Sequence, residues 1–185
     1  MKMIPETNIE AKPFKLDIEG IRKKAREHVE EGAKTASYRG DVQEIIALLN
    51  ASLATELVCV LRYKRHFFTA TGIHSKSIAE EFNLHANEEL AHADLIAERI
   101  MQLGGEPDFS PDSLTKRSHA DYVPCITLKD MIKENLVAER IAIDSYHALI
   151  RYIGDNDPTT RTMLEGILAQ EEEHADELSD WIKIS

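Results

Sequence analysis

With only two cysteines, Cys59 and Cys125, the chain is no disulfide-built scaffold, and so few thiols suit a reducing, cytoplasmic setting. No apolar run approaches the roughly 18 residues of a membrane span, so no membrane association is expected. The opening stretch Met-Lys-Met-Ile-Pro-Glu-Thr-Asn lacks the apolar segment of a secretory signal. An excess of basic residues is also missing. The 22 Lys/Arg are outnumbered by 33 Asp/Glu, and the net charge of −11 argues against a surface that binds nucleic acid as a whole. The imbalance is uneven: residues 1–40 carry nine Lys/Arg and seven Asp/Glu, a slightly basic arm on an acidic body.

What is present is helical periodicity. At 185 residues, one domain with a real core is expected. Residues 1–40 read as an arm, irregular around Pro5 and Pro13. A short helix follows, capped by Asp17, with Ile18, Ile21, Ala25 and Val29 on one face. Residues 41–185 read as an all-α four-helix bundle. Its first helix runs from about Asp41 to Thr71, with the seam Ile45, Leu49, Leu53, Glu56, Val60, Tyr63 and Phe67. The second starts near Ser75, read as its N-cap, and stops at Gly104-Gly105. Its seam is Ile78, Phe82, His85, Glu89, His92, Ile96 and Ile100. The third spans about Thr127 to Gly154 on Leu128, Ile132, Asn135, Glu139, Ala142, Tyr146, Leu149 and Ile153. The fourth opens at Asp157-Pro158, a cap followed by a first-turn proline, with the seam Leu164, Ile167, Glu171, His174, Leu178 and Trp181. Two connections are short and imply antiparallel hairpins. The stretch from Gly104 to Ile126 is long enough to run the bundle's length, which predicts one long crossover, the ferritin-like topology.

The polar members of these seams carry the chemistry. Glu-x-x-His occurs as Glu89-Leu-Ala-His92 and again as Glu171-Glu-Glu-His174. Each copy trails a lone core-facing glutamate, Glu56 by 33 residues and Glu139 by 32. Burying four ionised carboxylates without partners costs several kcal/mol each. Two such half-sets form the ligand set of a two-metal site within a four-helix bundle. Carboxylate and imidazole donors suit iron or manganese, with zinc an alternative. Four carboxylates also balance two divalent cations.

These segments carry a family resemblance. Asn87-Glu-Glu-Leu-Ala-His-Ala-Asp-Leu-Ile-Ala-Glu-Arg-Ile-Met-Gln-Leu-Gly-Gly-Glu-Pro107 resembles helix B of bacterioferritins, and Ala169-Gln-Glu-Glu-Glu-His-Ala-Asp176 resembles their helix D. Leu53-Ala-Thr-Glu-Leu57 and Leu136-Val-Ala-Glu139 resemble helices A and C. The resemblance implies a diiron ferroxidase that oxidises Fe(II) with dioxygen or hydrogen peroxide and stores the product in a homo-oligomeric cage. Glu56 and Glu139 would be terminal ligands, Glu89 and Glu171 bridging ligands, and His92 and His174 the nitrogen ligands. Tyr63 resembles the family's electron-donating tyrosine; a seam tyrosine packed in the core is the alternative. Two departures matter. The position of the family's haem-ligating methionine is Leu90, which disfavours haem. The sequence stops eleven residues after His174, with no fifth helix, which favours a Dps-like twelve-subunit shell over one of twenty-four.

Other readings stay open beside this one. A non-storing dimetal oxidase, peroxidase or catalase-like enzyme would use the same six ligands. A Dps-like DNA-protecting protein would use Arg22-Lys-Lys-Ala-Arg26. His85 reads as an auxiliary ligand or a satisfied core histidine. Cys59 reads as a buried structural thiol or one half of a redox pair with Cys125. Tyr146 reads as core packing, Asp144 and His147 as an exposed pair or a third ligand pair, and His66, His74 and His119 as surface histidines or ligands at iron-entry points.

Overall fold

A computed structural model describes residues 14–72 and 75–184; His74 lies outside them. Six α-helices are present among the described residues: α1 (Ile18–Lys24), α2 (Val42–Thr69), α3 (Ser75–Gln102), α4 (Leu114–Arg117), α5 (Leu128–Ile153) and α6 (Pro158–Ile184). Three of the four long helices start where a side chain absorbs a free backbone N–H group. Asp41 accepts from the Glu44 N–H, Thr127 from Asp130 and Asp157 from Thr160. Ser75 departs from its expected capping role. It is the first residue of α3, and its hydroxyl donates to the Gly72 carbonyl at 2.8 Å.

The arm helix is shorter than the sequence pattern suggests. Asp17 caps it as expected, accepting from the Gly20 N–H, but the helix ends at Lys24, and Val29 falls in a separate 3-10 turn. His28 between them adopts a left-handed φ of 50°. None of the α1 residues is buried, and a helix this short with no packed face has little to extend it.

Packing is heaviest within the hairpins α2–α3 and α5–α6. The crossover between α3 and α5 is pinned to α2 at successive heights. Asn50 donates to the Glu106 carbonyl and accepts from the Asp108 N–H. Thr55 accepts from the His119 N–H, Arg62 reaches the Asp121 carbonyl, and His66 Nε2 lies 3.2 Å from the Val123 carbonyl. The crossover therefore runs parallel to α2, which leaves α3 and α5 both antiparallel to it. That is the predicted ferritin-like topology, with the short helix α4 inside the crossover.

Arg62 is 1% exposed, an unusual place for a cation. It donates to Asn135 Oδ1 at 2.9 Å as well as to Asp121. His66, expected at the surface, is fully buried, 3.2 Å from Asn135 Oδ1. Burial and the Arg62 charge lower its pKa to about 4. A second buried network fixes the far end of the bundle. Arg99 pairs with Asp157 at 2.9 Å, and Asp157 also accepts from Tyr38 and Thr160. Tyr38 thereby ties the arm to the start of α6.

The core is divided. One apolar cluster includes Leu49, Leu53, Ile96, Ile100, Leu149 and Leu164. Another includes Cys59, Tyr63, Phe82, Ile132 and Leu178. On α2 and α3 alike, the break between the clusters falls at the seam glutamates. The helix α2 also corrects one expectation: by length and composition alone it is apolar enough to cross a membrane. Buried Glu56, Arg62 and His66 along it make it the core helix of a bundle instead.

Candidate metal centre

All six predicted ligands meet in the belt between the clusters, each at most 2% exposed. Glu56 comes from α2, Glu89 and His92 from α3, Glu139 from α5, and Glu171 and His174 from α6. They form two overlapping sets whose donor atoms lie within 4.8 Å of one another. One set is Glu56, Glu89, His92 and Glu171; the other is Glu89, Glu139, Glu171 and His174. Glu89 and Glu171 belong to both, so each faces two adjacent positions for a cation.

The two imidazoles point the same way. His92 Nδ1 lies 3.0 Å from Glu171 and 3.3 Å from Glu56, while His174 Nδ1 lies 3.6 Å from Glu89. These contacts lack hydrogen-bond geometry. Glu56 Oε2, Glu89 Oε1, Glu139 Oε2, both Glu171 oxygens and both Nδ1 atoms are buried without a hydrogen-bond partner. Natively buried polar atoms are rarely left so. Seven of them aimed into one belt form a donor set that fits divalent cations.

The opposite edge of each ring is satisfied. His92 Nε2 donates to Gln170 Oε1 and His174 Nε2 to Glu88 Oε2, both at 2.9 Å. A ring that donates outward and presents its other nitrogen inward is oriented as a metal-binding histidine is. Gln170 and Glu88 were not singled out from the sequence. The signal was there: each directly precedes the repeated glutamate of its half, and each serves the histidine of the other half.

Tyr63 donates to Glu139 Oε1, and Tyr146 donates to Glu56 Oε1. Tyr146 is thus a bonded partner of the belt, beyond the core packing expected of it. The belt's electrostatics follow from burial and crowding. Burial and the neighbouring Glu89 charge raise Glu56 to about 8. Burial and the charges of Glu89, Glu56 and Glu139 push Glu171 well up. Burial alone would raise Glu89, but the close approach of His174, His92 and Glu56 outweighs it and holds Glu89 low. Burial would lower both histidines. The close carboxylates of Glu171, Glu56 and Glu89 raise His92 instead, and Glu89 and Glu139 lift His174 to about 9.

The other flagged residues fall outside the belt. Cys59 and Cys125 are free and buried in the same apolar cluster, and burial raises both thiols. His147 lies 3.6 Å from Glu172, Asp144 is exposed, and His119 is at the surface.

The ferritin-like domain model matches residues 46–184, and the chain belongs to the ferritin-like family. A bacterioferritin of Mycobacterium avium is 28% identical over 142 residues, covering 76% of this chain and 85% of that protein. A protein named for DNA protection during starvation, from Pyrococcus furiosus, is 30% identical, covering 72% and 74%. Among solved structures, a bacterioferritin-related protein from Bacteroides fragilis, described as a dodecameric thioferritin, is similar with a TM-score of 0.76 and 31% identity. That match covers 78% of this chain and 88% of the other.

Proposed function

We propose that this chain is a ferroxidase of an iron-storing, iron-detoxifying cage. The observation that carries the reading is the pair of overlapping donor sets sharing Glu89 and Glu171. In it, Glu56 and His92 complete the position of one Fe(II), and Glu139 and His174 complete the other. Glu89 and Glu171 lie between the two ions. Holding both ions together lets two electrons leave in one encounter with the oxidant. With hydrogen peroxide, two Fe(II) become two Fe(III) and the peroxide becomes two hydroxides. With dioxygen, the same two electrons give peroxide. Four carboxylates neutralise two Fe(II), and the two charges added on oxidation favour release of Fe(III) toward a mineral. Tyr63, bonded to Glu139, is the side chain placed to supply a further electron. The functional unit is residues 41–185, with 1–40 as an accessory arm, in a cytoplasmic protein. A homo-oligomeric shell of twelve subunits follows the Bacteroides fragilis relative, described as dodecameric.

Anaerobic loading with Fe(II), followed by stopped-flow mixing with dioxygen or hydrogen peroxide, tests the reading. Glu171→Ala abolishes fast oxidation if it holds; an unchanged rate sinks it. Native mass measurement after iron loading separates storage from a small non-storing dimetal enzyme. A second reading, DNA protection, is favoured by exposed Arg22, Lys23, Lys24 and Arg26 on and after α1. Failure to shift DNA at low salt removes it.

A further inference from the structure

We propose that the arm helix α1 of one copy of this chain docks in the groove between α5 and α6 of a second copy. The helix is apolar along one side and leaves that side open on its own chain. Ile18 is 46% exposed and Ile21 50%, and no α1 residue is buried. Phe14 and Leu16, just before it, are exposed as well. At about 100° per residue, Ile18, Ile21 and Ala25 fall within an arc of about 60°. Arg22 lies about 40° beyond one edge of that arc and Lys24 about 60° beyond the other. The apolar stripe is thus flanked by a cation on each side.

The groove between α5 and α6 is its complement. It encloses about 400 Å³. Half-buried Leu136 and Ile143 from α5 and Ala175 from α6 supply an apolar lining. Exposed Asp144 on α5, with Glu172 and Asp176 on α6, puts acid on both walls. The minority charges match too: Arg140 lines the groove, and Glu19 is the acid within α1. So do the lengths. At 1.5 Å per residue, the seven residues of α1 and the lining stretches 136–144 and 172–179 each span about 10–12 Å. Apolar anchors below and charge pairs at the rims are how a helix is held in a groove.

The groove belongs to a second copy because of where the charge sits. Chains of net charge −11 repel one another, and the acidic excess lies in the body while residues 1–40 are slightly basic. Laying the basic arm across a neighbour's acidic groove turns part of that repulsion into attraction. The arm is tethered where Tyr38 bonds Asp157, so within an assembly a small contact area suffices. None of these residues is a ligand of the metal belt, and the docking is independent of the ferroxidase reading.

Co-assembly of two differently tagged full-length chains tests the docking. One carries Ile21→Cys, and the other Ile143→Cys or Ala175→Cys. Ile21 is central in α1, so it meets the middle of the groove whichever way the helix runs. Mild oxidation is expected to give a disulfide between the two tags at both groove positions, and none with an unsubstituted chain, whose Cys59 and Cys125 are buried. R22E/K24E on the arm copy lowers the yield several-fold, and D144K/D176K on the groove copy restores it. That rescue separates docking from a folding defect. No crosslink at either groove position overturns the proposal. So does a disulfide confined to one chain in the double variant I21C/A175C, which puts the arm on its own bundle. An undiminished crosslink in R22E/K24E, with a DNA gel shift lost instead, also overturns it and assigns the basic flanks to DNA.

Discussion

Tyr146 donates its phenol proton to Glu56, the lone glutamate of the opposite hairpin, and Tyr63 does the same for Glu139. Each tyrosine follows its own half's lone glutamate by seven residues, so the pair is a product of the internal repeat. The two are equivalent as hydrogen bonds and unequal as neighbours, because only Tyr63 also meets His85. Tyr63→Phe and Tyr146→Phe are each expected to cost about 1–3 kcal/mol in the metal-free protein, by orphaning a buried carboxylate oxygen. Urea unfolding measures this. Only Tyr63→Phe is expected to slow Fe(II) oxidation and to abolish any tyrosyl radical seen by electron paramagnetic resonance on rapid freezing.

The centre should make the metal-free fold sensitive to alkali. His174 and Glu56 have folded pKa values of about 9 and about 8, both above their unfolded values near 6.5 and 4.5. A raised folded pKa contributes stability that is whole below the unfolded value and lost as pH rises through the folded one. The thermal midpoint of chelator-treated protein is therefore expected to fall from about pH 4.5 to pH 9, most steeply between about pH 6.5 and pH 8, where both groups contribute. The metal-loaded protein, whose ligands are already deprotonated, should not follow it. Parallel decline of both forms would show that the belt is not the cause.

Glu88 and Gln170 orient the two imidazoles from outside the centre. Loss of such a partner typically lowers metal affinity about 10–100-fold. Glu88→Ala and Gln170→Ala are expected to fall in that range in a competition titration with a coloured chelator. Glu88→Gln, which keeps an acceptor for His174 Nε2, should recover most of the loss.

Asp157 collects bonds from Arg99, Tyr38 and Thr160 in a buried setting. Asp157→Ala strands the Arg99 cation and is expected to destabilise the fold by about 3–5 kcal/mol. Tyr38→Phe should cost less in global stability and instead release the arm. Faster hydrogen exchange confined to residues 33–40 is the expected signature.

The seams were legible because a helix repeats its buried face every three to four residues, and six polar residues interrupt that rhythm at matching places in both halves. The crossover was legible as a length. Its path was not: Arg62 and His66 are held by carbonyls of Asp121 and Val123, on irregular backbone that leaves no periodic trace. Nothing in the sequence pattern marks Arg62, which is core in the fold. The pairing of Arg99 with Asp157, 58 residues apart, was hidden for the same reason. The arm helix failed in the other direction: its apolar spacing promised a longer element than its unburied faces support.

The split of the donor set between hairpins bears on how the chain folds. The α2–α3 and α5–α6 pairs hold most of their contacts internally, so each can form early from local encounters. Neither owns a complete position for an ion: His92 needs Glu171, His174 needs Glu89, and each ring's outer partner sits on the other hairpin. A complete donor set therefore cannot exist on a half-folded chain. On the proposed ferroxidase reading, the site is complete only once the two hairpins have docked, so a nascent subunit is expected to lack its activity.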